Sequence, residues 1–297
     1  ERLSRAAQER GLALVLDIVP NHMAFGLQTP WLVEVLRHGP DSPHAPVFDI
    51  DWTAGPLALP WLERPLAEAA EAGDVRVEGE ALRVGNLALP LALGTAPPDG
   101  PVGADAALRL EEAQHWRLLP WPMERDSITH RRFFSITGLI GVRVEDPDVF
   151  ERVHAEVIRL AGAGLIHGLR IDHVAGLVDP AGYLRRLTGR LPGLPVWVEK
   201  ILVTGERLPD WPVAGTTGYE GAALIGRMLT EPDGFAALDA LRRGATGAEG
   251  LFHAEVEAAK REVLTDELAA ELRRLVDLAQ AAAESEGYLA GPEMLRE

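Results

Sequence analysis

Three short apolar segments of the chain, residues 12–19, 165–171 and 196–198, end on polar or ionisable side chains. These side chains are Asp17, Asn21 and His22 at the first segment, Arg170, Asp172 and His173 at the second, and Glu199 and Lys200 at the third. If the segments are neighbouring parallel strands, their carboxyl ends meet at one edge, where barrel enzymes build their active sites. The pattern therefore predicts a site at that edge.

Asp172 and Glu199 have the chemistry needed to cleave a glycosidic bond. Residues two apart on a strand share a face, so the guanidinium of Arg170 should orient Asp172 and hold it ionised. One carboxylate can then attack the anomeric carbon while a second carboxyl group protonates the leaving oxygen; in retaining enzymes the two lie about 5 Å apart. Adjacent strands lie about 4.8 Å apart, so this arrangement is feasible.

Each of these groups also has a purely structural interpretation. Asp17 and Asn21 stand where turn-forming residues are common. His22 and His173 could be structural histidines, the Arg170–Asp172 pair could be a structural ion pair, and Glu199 with Lys200 could be a solvated charge pair. The repetition of polar groups at the same end of three consecutive strands favours a functional site.

The elements that position these side chains alternate between helix and strand. Residues 1–10 predict the end of a helix with Gly11 as its stop, and residues 12–19 predict a strand that is apolar on both faces. A helix over residues 146–162 begins at Asp146 and Pro147, and further elements follow as a strand at 165–171, a helix at 180–190 and a strand at 196–198. This alternation indicates βα units around a parallel sheet.

Two parts of the chain lie outside this alternation. Residues 25–145 are too long for a loop and contain a predicted hairpin over 75–84, which indicates an inserted subdomain. From residue 232 onward the pattern is helical, and four leucines predict one apolar face of a single long helix: Leu264, Leu268, Leu272 and Leu275.

Composition excludes several classes of function. Acidic residues outnumber basic ones by 45 to 29 among 297 residues, giving a net charge of −16, so we expect no nucleic-acid partner and no membrane partner. The absence of cysteine excludes disulfides, thiol catalysis and cysteine-ligated metals. With no apolar span and no signal peptide in the sequence, we expect a cytoplasmic protein.

Three motifs resemble conserved regions of the alpha-amylase superfamily of glycoside hydrolases. These are DIVPNH at 17–22, GLRIDH at 168–173 and VWVEK at 196–200, in the superfamily's order and with its large insertion after the first. The resemblance implies an α/β fold of the (β/α)8 TIM-barrel type, here a partial barrel of strands 3 to about 6. It also implies four parts: a barrel segment at 1–24, an inserted B-type subdomain at 25–145, a second barrel segment at 146–231 and a helical subdomain at 232–297.

Further stretches resemble one group within that superfamily. HWRL at 115–118, RRFF at 131–134 and GTTGYE at 215–220 resemble enzymes that convert the reducing-end α-1,4 bond of a maltooligosaccharide into an α,α-1,1 bond by intramolecular transglucosylation. The resemblance implies a maltooligosaccharide substrate, no cofactor and no metal. Such a transfer needs a closed pocket that excludes water, and the stretch that holds His115, Trp116, Arg131 and Arg132 is a candidate wall for it, although packing in the core explains Trp116 at least as well.

The resemblance also assigns roles to the residues at the strand ends. Asp172 would be the nucleophile and Glu199 the acid and base, with Arg170 orienting Asp172 and Asp17 bracing Arg170. The remaining substrate-binding candidates are His22, Asn21, His173 and Lys200. Three positions depart from the group's pattern: Ser135, Ala175 and Glu220. We also expect the chain to be a fragment of a longer polypeptide, because the superfamily's fourth region, with its third carboxylate, has no counterpart here.

Three other functions fit parts of the pattern. The first is a retaining glucan hydrolase of the amylase type, and the second is an inactive fragment that binds glucan. The third is a metal-dependent hydrolase that uses Asp17, His22, Asp172 and His173 as ligands. It is disfavoured because the sequence has no His-x-His or His-Glu-x-x-His spacing and because Arg170 would repel a cation.

Overall fold

A computed structural model describes residues 1–247 and 252–287. The chain divides into two compact units that both mix helices and strands: unit 1 comprises Glu1–Met23 and Val142–Leu251, and unit 2 comprises Ala24–Gly141 and Phe252–Glu297. Of the helical part predicted at 232–297, residues 248–251 and 288–297 lie outside the described residues. The four-part division drawn from the sequence stays a prediction.

The secondary structure alternates helix and strand in unit 1 and is richer in short strands in unit 2. The helices are α1 Arg2–Gln8, α2 Pro30–His38, α3 Leu66–Glu71, α4 Ala104–Glu112, α5 Glu124–Ser127, α6 Pro147–Gly162, α7 Pro180–Arg190, α8 Tyr219–Leu229, α9 Pro232–Thr246, α10 Phe252–Thr265 and α11 Ala269–Ser285. The strands are β1 Val15–Ile18, β2 His22–Ala24, β3 Leu57–Leu62, β4 Val75–Glu78, β5 Ala81–Val84, β6 Leu87–Pro90, β7 Gly100–Pro101, β8 Trp116–Pro120, β9 Arg132–Phe133, β10 Ile136–Gly141, β11 Gly168–Ile171, β12 Val196–Val198 and β13 Gly215–Thr216.

Unit 1 is built on a parallel sheet with the strand order β1-β11-β12-β13. Helix α6 lies between β1 and β11 in the chain, and it begins where the Asp146 carboxylate accepts the backbone N–H of Asp148 at 2.8 Å. Helix α7 connects β11 to β12, with Asp179 capping its first turn. The predicted helices over 146–162 and 180–190 and the predicted strand over 196–198 are confirmed.

The two faces of this sheet differ in chemistry. Leu169, Ile171, Val196 and Val198 are buried on one face, whereas Asp17, Arg170 and Trp197 lie in register on the other. The prediction that residues 12–19 are buried on both faces is wrong, because Val15 and Asp17 are exposed and β1 is an edge strand of the described sheet. An apolar run therefore does not by itself place both faces of a strand in the core.

Unit 2 contains an antiparallel sheet in the order β6-β5-β4-β7 and a parallel pair formed by β3 and β8. Strands β4 and β5 confirm the predicted hairpin over 75–84. Trp116 is fully buried in the core, where its indole N–H donates to the carbonyl of Pro90 at 3.0 Å. Of the two interpretations of Trp116, the structure therefore supports packing in the core and not the wall of a pocket.

The prediction of one long helix carrying Leu264 and Leu275 on a single face is also wrong. Helix α10 ends at Thr265 and α11 begins at Ala269, and both leucines are exposed. A side chain that is distant in sequence binds the main chain at this break. Arg132 donates to the carbonyl of Glu267 at 2.9 Å, and that carbonyl would accept an N–H from the next turn if the helix continued. Among the described residues, no helix is long and apolar enough to cross a bilayer.

Candidate active site

One guanidinium, that of Arg170, contacts three carboxylates in unit 1. Its Nη1 donates to Asp172 Oδ1 at 2.6 Å and to Asp17 Oδ1 at 2.9 Å. Its Nη2 lies 3.4 Å from Glu199 Oε2. The side chains of Arg170, Asp172 and Glu199 are each only 22–23% exposed, whereas Asp17 is 62% exposed. The structure therefore gathers one residue from the end of each predicted strand around a single cation.

Strand register explains why these side chains converge. Asp17 pairs with Arg170 across β1 and β11, so the two share a face of the sheet. The backbone N–H of Glu199 donates to the carbonyl of Ile171 at 2.8 Å, which continues the β11–β12 ladder one residue past β12. Asp172 and Glu199 thus stand at adjacent strand ends, whose main chains are about 4.8 Å apart in a sheet. Both side chains contact the Arg170 guanidinium, at 2.6 Å and 3.4 Å, so the two carboxyl groups lie side by side at this edge.

Two opposing effects act on the proton affinity of Arg170. Burial lowers its pKa, but hydrogen bonds to Asp17 and Asp172 outweigh burial and raise the pKa above the ordinary arginine value. Arg170 is therefore a permanent cation. It can therefore orient the Asp172 carboxylate that it contacts at 2.6 Å.

Glu199 receives two further donors. The backbone N–H of His173 donates to Oε2 at 3.0 Å, and the hydroxyl of Tyr219 donates to Oε1 at 3.2 Å. His173 adopts a left-handed conformation with φ 48°, which is uncommon outside glycine and turns its N–H toward Glu199. Its imidazole lies over Gly176, where an added Cβ would be 2.1 Å from the ring. A bulkier residue at 176 would displace the ring.

The remaining predicted residues occupy different positions. Lys200 turns to Glu206, with Nζ 2.6 Å from Oε1, and hydrogen bonding to Lys200 lowers the pKa of Glu206. Asn21 is almost fully buried, and its main-chain carbonyl accepts the N–H of Val142 at 2.9 Å. The Asn21 amide lies 3.4 Å from Nδ1 of the half-buried His22. Contact of these three residues with a sugar stays a prediction.

Two residues at the site were not singled out from the sequence. Tyr219 follows β13, which has two residues and is too short to show strand periodicity, although it lies in the GTTGYE stretch. Trp197 pairs with Arg170 across β11 and β12, and its ring lies over Gly168, where an added Cβ would be 2.7 Å from the indole. Trp197 lies in the VWVEK motif, between two valines, but no feature of the sequence set it apart there.

The described residues offer no cluster of three or more carboxylate or imidazole groups arranged to hold a metal ion. The cation at the centre of this cluster is Arg170 itself. The arrangement suits chemistry by two carboxylates: one held by the guanidinium, the other by a backbone N–H and a phenol.

Known proteins that are similar to this chain agree with a site that acts on glycosidic bonds. No protein-family model matches the chain. A putative maltooligosyl trehalose synthase of Mycobacterium tuberculosis is 41% identical over an alignment of 292 residues that covers 95% of this chain. The chain is a homologue of the maltooligosyl trehalose synthases. It spans 36% of the length of that relative.

Solved structures of maltooligosyl trehalose synthases share the fold. The enzyme from Arthrobacter ramosus superposes with a TM-score of 0.84 at 40% identity, covering 92% of this chain and 35% of that one. A glycosyltrehalose synthase described as DSM5389 gives a TM-score of 0.85 at 28% identity, covering 93% and 39%. The mixed α/β class expected from the sequence is confirmed, and so is the resemblance to this group of enzymes.

Proposed function

We propose that this chain carries the nucleophile and the acid–base residue of a maltooligosyl trehalose synthase. The reaction would move the reducing-end glucose of a maltooligosaccharide from an α-1,4 to an α,α-1,1 linkage. The observation that carries the proposal is the Arg170 cluster, in which Asp172 and Glu199 stand at adjacent strand ends. The 41% identity to a synthase over 95% of the chain supports the substrate class.

In the first step, Asp172 would attack the anomeric carbon of the penultimate glucose. Its Oδ1 accepts the Arg170 bond, whereas Oδ2 receives no hydrogen bond from the described residues and is the free nucleophilic oxygen. As Oδ2 bonds to C1, the C1–O4 bond breaks with its electrons on O4. That oxygen takes the proton from Glu199, so the products are a β-glucosyl ester on Asp172 and a free glucose.

In the second step, the released glucose would turn over and attack through its anomeric hydroxyl. Glu199 takes the hydroxyl proton as O1 bonds to C1, and the C1–Asp172 bond breaks with its electrons on Asp172. Two inversions retain the α configuration and give the α,α-1,1 bond. Water must be excluded while the glucose turns, since it would otherwise complete a hydrolysis.

The barrel assignment supplies the framework for this chemistry. We propose that β1, β11, β12 and β13 correspond to strands 3 to 6 of an amylase-type (β/α)8 barrel, with residues 25–145 as the inserted B-type subdomain. The parallel order of these strands supports the assignment. We also propose a cytoplasmic location, because the sequence contains no cysteine.

Incubation with maltopentaose tests the proposed function. We expect reducing ends to disappear while chain length stays unchanged, because the glucose is moved and not released. Asp172→Asn is the matched control and should form no product. An increase in reducing ends would instead establish the amylase-type hydrolase, which shares the first step.

A further inference from the structure

The two oxygens of Glu199 have different surroundings. Oε2 faces the backbone N–H of His173 at 3.0 Å and Nη2 of Arg170 at 3.4 Å. Oε1 is bonded, among the described residues, only to the hydroxyl of Tyr219 at 3.2 Å. An amide N–H and a guanidinium are donors that cannot accept a proton. A proton on Oε2 would therefore point at a donor, so the structure leaves Oε1 as the oxygen that can carry it.

A tyrosine hydroxyl can both donate and accept a hydrogen bond. It can donate to Oε1 when Glu199 is ionised and stay in contact when Oε1 carries the proton. We propose that Tyr219 is a positioning residue that holds Glu199 Oε1 as the proton-transfer atom, an inference that rests on the proposed function. Tyr219 acts through Glu199 and takes no proton itself.

The local structure holds Tyr219 in place independently of Glu199. Tyr219 is the first residue of α8, and Gly218 before it has φ 82°, a left-handed conformation that favours glycine. The hydroxyl of Thr216 accepts the N–H of Gly218 at 3.3 Å and donates to Glu220 at 2.7 Å. The N–H of Thr217 donates to the carbonyl of Val198 at 3.1 Å, next to Glu199 in sequence. The phenol and the carboxylate are thus tied to neighbouring strands.

Oε1 of Glu199 then takes part in each proton movement. In the first step the proton on Oε1 passes to the glycosidic oxygen as the C1–O4 bond breaks, and Oε1 becomes the ionised oxygen that accepts from Tyr219. In the second step the anomeric hydroxyl of glucose returns its proton to Oε1 as O1 bonds to C1. Without the phenol, Oε1 loses its described partner, and Glu199 can rotate away from the bond being broken.

Tyr219→Phe tests this role with two substrates that differ in their need for acid. Maltopentaose has a poor leaving group that must be protonated, whereas α-maltosyl fluoride loses fluoride without help from an acid. We expect kcat for maltopentaose to fall about tenfold or more with KM changed less than about twofold, since a positioned general acid contributes about 10²–10⁴-fold. Fluoride release in the first turnover should change less than about threefold.

Tyr183→Phe is the matched control, because the hydroxyl of the buried Tyr183 is hydrogen-bonded to Nε2 of His154 at 2.8 Å and not to Glu199. We expect that variant to treat both substrates as the wild-type protein does. Equal losses on both substrates with Tyr219→Phe would mean a structural role and overturn the inference, as would an unchanged kcat for maltopentaose. A wild-type protein that forms no product from either substrate would overturn the proposed function and the inference together.

Discussion

Replacing Arg170 with methionine should destabilise the protein by about 2–3 kcal/mol near neutral pH. A hydrogen bond to a charged group contributes about 1.5–3 kcal/mol, which applies to the 2.6 Å bond to the largely buried Asp172. The Asp17 bond adds less than about 1 kcal/mol because that carboxylate is 62% exposed. Methionine has a similar length but no donor, so the neighbouring carboxylates repel one another with no cation between them.

The assay is urea unfolding followed by tryptophan fluorescence, with Trp197 on the strand next to Arg170 as one of the reporters. Arg190→Met is the control, since Arg190 pairs with Glu151 at 2.9 Å while both side chains are about half exposed, and we expect it to lose less than about 1 kcal/mol. A loss at neutral pH no greater than that of the control would refute the reasoning that Arg170 holds the site together.

Three further predictions follow from particular contacts. Asp172→Asn should abolish turnover and leave glucan affinity within about threefold, since the amide cannot act as a nucleophile; calorimetric titration with a non-reacting glucan checks the binding, and retained turnover would remove the assigned nucleophile. Arg132→Met should cost about 2–3 kcal/mol, because Arg132 is 1% exposed and bonded at 2.8 and 2.9 Å to Glu271, which is 25% exposed and would lose both charged hydrogen bonds; unfolding midpoints measure this, and a loss under about 1 kcal/mol would contradict it. Burial lowers the pKa of His130 to about 3. As pH falls, the unfolded chain therefore binds a proton at this histidine before the folded chain does, and the free energy of unfolding decreases between about pH 6.5 and about pH 3. His130→Phe should flatten this pH dependence of the free energy of unfolding, and an unchanged dependence would show that His130 is not its cause.

Features encoded by neighbouring residues were predictable from the sequence. Helix α6 begins at Asp146 because an Asp followed by Pro caps the first turn, and this signal needs no tertiary information. The shared face of Arg170 and Asp172 follows from the two-residue period of a strand. Asp17 and Glu199 lie at the same edge of the sheet because parallel strands have their carboxyl ends at one edge.

Features set by distant residues were not predictable. At the break between α10 and α11, Arg132 binds the carbonyl of Glu267, which is 135 residues away in the chain. The burial of Trp116 depends on a hydrogen bond to Pro90 across unit 2. Lys200 pairs with Glu206 because the loop after β12 brings Glu206 back beside it. The path of that loop cannot be predicted from the positions of the charged residues in the sequence.

The central claim is that Asp172 forms the covalent intermediate, and trapping that intermediate tests it most directly. In a Glu199→Gln protein, α-maltosyl fluoride should load the nucleophile without an acid, and the ester should then persist because no base activates the acceptor. Proteolysis and mass spectrometry should find one maltosyl group on the peptide that contains Asp172. A label on a peptide that contains Asp17 instead, or release of fluoride with no labelled peptide, would contradict the account.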